Sequence, residues 1–238
     1  MKENGSRQNL QTLWKNDDEL FQLVRKELYT AVVGDIMDKL GLLNQFLPPQ
    51  IIPLNENSFI IGRAMPVLEA DVVSESSKHN AILNKPFGLM LEALDDLKKN
   101  EVYICTGASP SYALWGELMS ARAIKLGAVG AVVDGYSRDT LGIKKLGFPV
   151  FSYGRYAQDQ APRGKVIDFR VPINIKGVHI NPGDIVLGDI DGVCIVPAEA
   201  EEQVFALAIE KARGEKMVLA KIQEGMGAKD AFEQYGIM

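Results

Sequence analysis

Cysteine and histidine are scarce in this chain, two of each in 238 residues. Cys105 and Cys194 each sit in an apolar run, Val102-Tyr103-Ile104-Cys105 and Val193-Cys194-Ile195-Val196. That placement predicts reduced core residues rather than a disulfide framework, and with it a cytoplasmic location. His79 stands in the polar Ser76-Ser77-Lys78 stretch and His179 in a β-turn region. Both read as surface or structural residues, which leaves no placed histidine for a phosphohistidine carrier. Blocks of Lys and Arg are also lacking, and the net charge is -5. Clustered cations are what neutralise phosphates, so no nucleic-acid partner is expected. No run approaches the ~20 apolar residues of a membrane-spanning helix, and residues 1–20 lack the apolar core of a signal peptide, so no membrane partner is expected. Eleven prolines and 22 glycines are too few for low complexity.

What is present is the composition of a globular protein, 47% hydrophobic and 24% charged. The length favours one domain with terminal additions: a polar segment over 1–16, an α/β domain over 17–197 and a C-terminal helical arm over 198–238. Asp17-Asp18-Glu19 precede Leu20, Phe21, Val24 and Leu28 at helical spacing. Thr30 reads as the N-cap of a second helix that carries Val33, Ile36, Met37 and Leu40 and stops at Gly41. Pro48, Pro49 and Pro53 impose an irregular stretch. Residues 59–68 read as a strand, with Gly62 and Pro66 marking a bulge or an edge. Pro86 opens a helix carrying Phe87, Met90, Leu91 and Leu94. Strands over 102–105, 128–133 and 149–153 then alternate with helices over 117–126 and 140–146, which implies parallel pairing. Gly127 and Gly147 fall where helix ends need left-handed residues. Beyond 163 the pattern turns to short strands over 165–175, 178–180, 185–188 and 193–196. From 198 onward it is helical, with a break at Gly214. Residues 69–85 form a loop that could act as a lid.

The chemistry concentrates between residues 116 and 139. Gly116, Glu117, Leu118 and Met119 open a helix, whose unpaired N–H groups and positive end suit a carboxylate. Ala131-Val132-Val133-Asp134 reads as a buried strand ending in a carboxylate that caps a turn, and Gly135 lets the chain turn. Arg138 can grip a carboxylate through two parallel hydrogen bonds. Asp139 offers acceptor-only oxygens suited to a hard cation such as Mg²⁺ or Mn²⁺. On residue types alone, an adjacent Arg-Asp pair is more readily a solvated surface pair of little energetic value than a functional one. Gly127-Ala128-Val129-Gly130 precedes a strand, whereas a nucleotide-cradling loop follows one, so a methyltransferase is the weakest reading.

Three motifs carry a resemblance: Gly116-Glu117-Leu118-Met119, Gly127-Ala128-Val129-Gly130 and Asp134-Gly135-Tyr136-Ser137-Arg138-Asp139. The downstream run Pro182-Gly183-Asp184-Ile185-Val186, Asp189 and 191–197 extends it. Together they are similar to the RraA-like family, which joins 4-hydroxy-4-methyl-2-oxoglutarate aldolases to the regulator of ribonuclease activity A and was once mislabelled demethylmenaquinone methyltransferase. The resemblance covers about residues 30–238. It implies an α/β, swivelling β/β/α domain with N-terminal helices and a C-terminal helical arm, assembled as homotrimers or homohexamers with the site near a subunit boundary. It further implies a divalent-metal-dependent aldolase that cleaves a 4-hydroxy-2-oxo acid to pyruvate, with oxaloacetate decarboxylation as a side activity. In that scheme the 116–119 backbone and Arg138 bind substrate, Asp139 holds Mg²⁺ or Mn²⁺, and Glu117 fixes water on the metal. Glu215 is the candidate for a catalytic glutamate reaching a neighbouring subunit. Glu117 stands where some aldolases carry aspartate. The alternative within the family is a non-enzymatic regulator binding a ribonuclease or RNA helicase. The helical arm and the joint presence of Glu117, Arg138 and Asp139 favour the enzyme.

Overall fold

The computed structural model describes residues 13–72 and 80–237; residues 73–79 of the expected lid, His79 among them, lie outside them. Helix α1 (Asp17–Glu27) starts where the Asn16 side chain accepts the Glu19 N–H at 3.0 Å, with three acids in the first turn. Just before it, Trp14 is buried and meets Phe205 edge-on at 6.4 Å, so the end of the polar segment belongs to the core. Helix α2 (Thr30–Lys39) begins differently from expectation. Thr30 is its first helical residue, and the Asp189 carboxylate accepts both its N–H and its hydroxyl at 2.7 Å. The cap is thus supplied by a residue 159 positions away.

Strands β1 (Ile52–Pro53), β2 (Ile60–Asp71), β3 (Glu101–Thr106), β5 (Gly130–Val133), β7 (Val150–Ser152), β8 (Gly164–Phe169), β11 (Ile185–Asp189) and β12 (Gly192–Val196) form one sheet. Its order is β1-β7-β5-β3-β2-β11-β12, with β8 also on β2. The run β2-β3-β5-β7 is parallel, as the alternation with helices requires. The segment 45–54 links the two sheet ends: Leu47 N–H reaches Val193 O on β12, and Leu54 N–H reaches Val150 O on β7, both at 2.9 Å. The sheet is therefore nearly closed, like a barrel. Ile60, Val102, Ile104, Val132, Phe151 and Ile195 fill it, together with the hairpin of β9 (Ile173–Ile175) and β10 (Val178–Ile180). His179 lies exposed on β10 rather than in a turn.

Pro66 sits in the middle of the sheet, not at an edge. On that side of β2, β11 pairs through Arg63 and β8 takes over from Val67, so the missing N–H falls where one partner replaces the other. The expected strand over 165–175 is likewise two strands, parted at Arg170, which has φ 56° and donates its N–H to Pro66 O at 2.7 Å.

Helices α1, α2 and α6 (Glu201–Gln223) cover one outer face of the sheet. The other is covered by α3 (Met90–Asp95), α4 (Glu117–Leu126) and α5 (Thr140–Leu146). Helix α3 is shorter than expected because Gly88 adopts a left-handed conformation (φ 63°) and stops the chain from being helical back to Pro86. Helix α6 runs straight through Gly214. A Cβ there would lie 2.5 Å from Ile237 Cδ1, so this glycine makes room for the returning C-terminal segment. The break comes at Gly225, before α7 (Ala228–Tyr235). Both cysteines are buried and free.

Candidate functional site

Two very short strands, β4 (Ala113–Trp115) and β6 (Tyr136–Ser137), pair in parallel outside the main sheet. Each is followed at once by a helix-opening turn, so the pairing sets residues 116–119 beside Arg138 and Asp139. Arg138 N–H donates to Trp115 O at 2.9 Å, which locks the two turns together. The α4 turn is held from behind. Trp115 Nε1–H donates to Ser120 Oγ at 2.7 Å, and Ser120 Oγ donates to Gly116 O at 3.0 Å. The Trp115 ring lies 4.9 Å from that of Tyr103 and stacks on Phe148. Groups fixed on both sides like this need little reorganisation when a ligand binds.

At the helix tip Glu117 N–H points to Asp139 Oδ2 at 3.3 Å, while no intrahelical acceptor serves the N–H groups of Leu118 and Met119. Gly116 is buried, and a Cβ there would lie 2.7 Å from Asp139 Oδ2, so only glycine lets the carboxylate come so near the tip. Asp139 has φ 56° and ψ 34° and does not cap its own helix, α5, with its side chain. The left-handed backbone turns the carboxylate toward α4 instead. Its Oδ1 accepts no hydrogen bond among the described residues, which leaves it open to a cation. Arg138 Nη1 is 3.2 Å from Asp159 Oδ1, and Arg138 Nε is 3.8 Å from Asp139 Oδ2. These three charges are partly exposed at the mouth of a cleft of about 290 Å³ that Gly116, Leu118 and Met119 also line. The Glu117 carboxylate lies over Gly142 in α5, close enough to leave no room for a Cβ.

Gly116, Leu118, Met119, Arg138 and Asp139 thus meet around one cleft, with Glu117 on its flank. Glu215 does not join them within the chain. On α6 it accepts hydrogen bonds from Tyr29 Oη and Lys211 Nζ, and Lys211 also pairs with Asp35 at 2.6 Å. One expectation nearby is corrected. Asp134 does not use its side chain to cap a turn; its buried carboxylate accepts from Thr106 Oγ1 at 2.6 Å and from Tyr153 Oη, tying β3 to the segment after β7. The chain bends at Gly135 as expected, without a left-handed backbone; a Cβ there would press on Leu114 Cδ1 at 2.8 Å.

Sequence reasoning missed Asp159 and Gln160, which line the cleft from an irregular stretch with no periodicity to reveal them. It also missed Glu69, which is 2% exposed beneath that wall. Gln160 Nε2–H donates to Glu69 Oε2 at 2.5 Å, and burial pushes the Glu69 carboxyl up to about 8. A carboxylate inside the apolar run Val67-Leu68-Glu69-Ala70 was the available signal. Among the described residues no three His, Cys, Asp or Glu side chains converge as a metal site. One carboxylate with a free oxygen still fits Mg²⁺, which is commonly held by one or two carboxylates and otherwise by water and ligand. No helix among the described residues is long and apolar enough to cross a membrane.

Fold and site together define an α/β protein whose nearly closed sheet carries a small-molecule cleft at a helix tip. Residues 30–195 match the family model described as RraA-like, Aldolase/RraA, and the chain belongs to that family. A Halalkalibacterium halodurans protein named "Putative 4-hydroxy-4-methyl-2-oxoglutarate aldolase" is 33% identical over 183 residues, 76% of this chain and 79% of that one. A solved structure described among novel cellulases from gut-associated microbes is 33% identical, covers 85% of this chain and 88% of its own, and superposes with a TM-score of 0.77. An uncharacterized protein from Pseudomonas syringae, at 24% identity, shares the fold with a TM-score of 0.81 over 94% of this chain and 97% of that one. The fold is thus the RraA-like α/β fold with helices that include a C-terminal one.

Proposed function

We propose that this protein is a carbon–carbon lyase that cleaves a 4-hydroxy-2-oxo acid to pyruvate and a second carbonyl compound, with Mg²⁺ or Mn²⁺ held by Asp139. The names of its relatives support an aldolase. The observation that carries the reading is the β4–β6 pairing, which turns a helix tip, a guanidinium and a carboxylate with a free oxygen toward one cleft. The N–H groups of Leu118 and Met119 receive the substrate carboxylate at the positive end of α4. Arg138 exchanges part of its contact with Asp159 for the keto acid and faces the negative charge that develops as the C3–C4 bond breaks. Glu117 orients the water that takes the proton from the C4 hydroxyl. When bound, the divalent cation supplies Lewis-acid stabilisation of that developing charge. Oxaloacetate is a secondary substrate, because loss of CO₂ leaves the same charge on the same three-carbon unit. Glu215, held by Tyr29 and Lys211, acts only if a second copy of the chain brings it to this cleft, which makes a trimer or hexamer the proposed working form.

A cellulase activity does not suit the site. Glycoside hydrolysis needs two carboxylates flanking the scissile bond, and here Asp139 and Asp159 both face one guanidinium. The test of the lyase is metal-dependent pyruvate release by wild type and Asp139→Ala. Release by wild type alone, with the variant's assembly unchanged, supports it; equal turnover by the two defeats it. Capture of a ribonuclease without any turnover would favour the regulator instead.

A further inference from the structure

The cleft has a charged mouth and an apolar body. Charge is confined to Arg138, Asp139 and Asp159, while Phe87, Met90, Leu91, Leu94, Leu118 and Met119 make up most of the rest. Arg138 is the single cation among the described lining residues, and Asp159 and Asp139 already balance it. A ligand seated by its carboxylate at the α4 tip would push its far end into this apolar wall. A second carboxylate there would lose water without gaining a cation. Arg155 lies in an adjoining recess that shares Arg138 and Asp139 with the cleft mouth but includes no residue of the apolar wall.

One amide interrupts the wall. Gln160 is 6% exposed, its Nε2–H is committed to Glu69, and its Oε1 accepts no hydrogen bond among the described residues. The anchor is itself immobile: Glu69 is buried, with Oε1 unpartnered. Burial holds its carboxyl neutral up to about 8, so the Gln160 anchor carries no charge into the wall.

Building on the lyase reading, we propose that the cleft selects 4-hydroxy-2-oxo acids whose carbon-4 substituent is an uncharged alkyl group. Gln160, positioned by Glu69, accepts a hydrogen bond from the water that takes the C4 hydroxyl proton. This departs from the dicarboxylic acid in the relatives' names. A hydrophobic wall discriminates strongly against a charged group, whereas the length of the alkyl group matters less.

The experiment compares two acids of similar length in binding and in turnover, on the full chain with saturating Mg²⁺. Calorimetry should show 2-oxohexanoate binding at least tenfold more tightly than 2-oxoglutarate. Pyruvate release should show kcat/KM at least tenfold higher for 4-hydroxy-2-oxohexanoate than for 4-hydroxy-2-oxoglutarate. Leu91→Arg, at an exposed rim position, should reverse both preferences. Gln160→Met should lower kcat/KM for the hydroxy acid about tenfold while leaving the Kd of 2-oxohexanoate, which lacks the hydroxyl, unchanged. If that variant misfolds, Gln160→Asn gives the same readout. Parallel loss of 2-oxohexanoate binding would make Gln160 merely structural and overturn its role. Equal binding of the two oxo acids, or tighter binding of the dicarboxylic one, overturns the selectivity. Alkyl-preferring binding with no cleavage at all would support the selectivity and refute the lyase. Cleavage that favours the dicarboxylic acid would do the reverse.

Discussion

Replacing Gly142 by alanine should separate catalysis from folding. Gly142 lies inside α5 without a left-handed backbone, so alanine fits the helix and favours it by roughly 0.5–1 kcal/mol. Its Cβ, however, would lie closer than 3.0 Å to the Glu117 carboxyl carbon and both oxygens, with Oε1 at 2.6 Å. Glu117 is exposed and flexible, so the carboxylate can move away cheaply, by on the order of 1 Å to regain ordinary contact, and a misplacement of that size costs a catalytic group up to about 10²-fold. The expected result is a melting temperature at or slightly above wild type, with kcat for pyruvate release lowered ten- to a hundredfold. Pyruvate is followed by coupling to lactate dehydrogenase, and stability by thermal and urea unfolding of the same samples. Wild-type kcat in a well-folded variant would show that Glu117 takes no part in the chemistry. A matching fall in stability would show that Gly142 is needed for the fold instead.

Gly116→Ala should act on the cation site, since its Cβ would press on Asp139 Oδ2 at 2.7 Å. The Mg²⁺ concentration for half-maximal activity should rise at least tenfold, and an unchanged metal titration would refute the close approach inferred here. Glu69→Gln tests the buried acid. Its folded-state value, about 8 against an ordinary 4.5, means the folded protein keeps a proton that the unfolded chain gives up, so stability falls as pH rises through that window and is level above it. Urea midpoints at pH values below and above the window should therefore differ less in Glu69→Gln than in wild type, and identical slopes would show that Glu69 is already ionised. Asp189→Asn weakens the grip on Thr30 N–H and Oγ1 and on Asp191 N–H, and should cost roughly 1–3 kcal/mol in urea unfolding with the active-site parameters unchanged. A cost below a few tenths would show that α2 does not depend on this cap.

Local signals explain which features were legible in the chain. The bounds of α4 and α5 follow from sequence because Gly127 and Gly147 adopt left-handed caps at their ends. The parallel run follows from alternating strands and helices. Features set by distant partners were not visible: the Asp189 cap on Thr30, the place of Pro66 between β11 and β8, and the room that Gly214 leaves for Ile237. The candidate site was half legible. Its residues could be named from two motifs, but the pair of strands that joins them is three and two residues long, too short for any periodicity. The 153–163 stretch that supplies Asp159 and Gln160 has no pattern at all, so the apolar character of the cleft, and with it the selectivity, needed coordinates.

A crystal structure with Mn²⁺ and oxalate, a planar mimic of the pyruvate enolate, tests the account most directly. The account predicts anomalous density for Mn²⁺ at the Asp139 carboxylate, with oxalate against the Leu118 and Met119 N–H groups and within reach of Arg138. Mn²⁺ bound elsewhere, or oxalate seated away from the α4 tip, would contradict it.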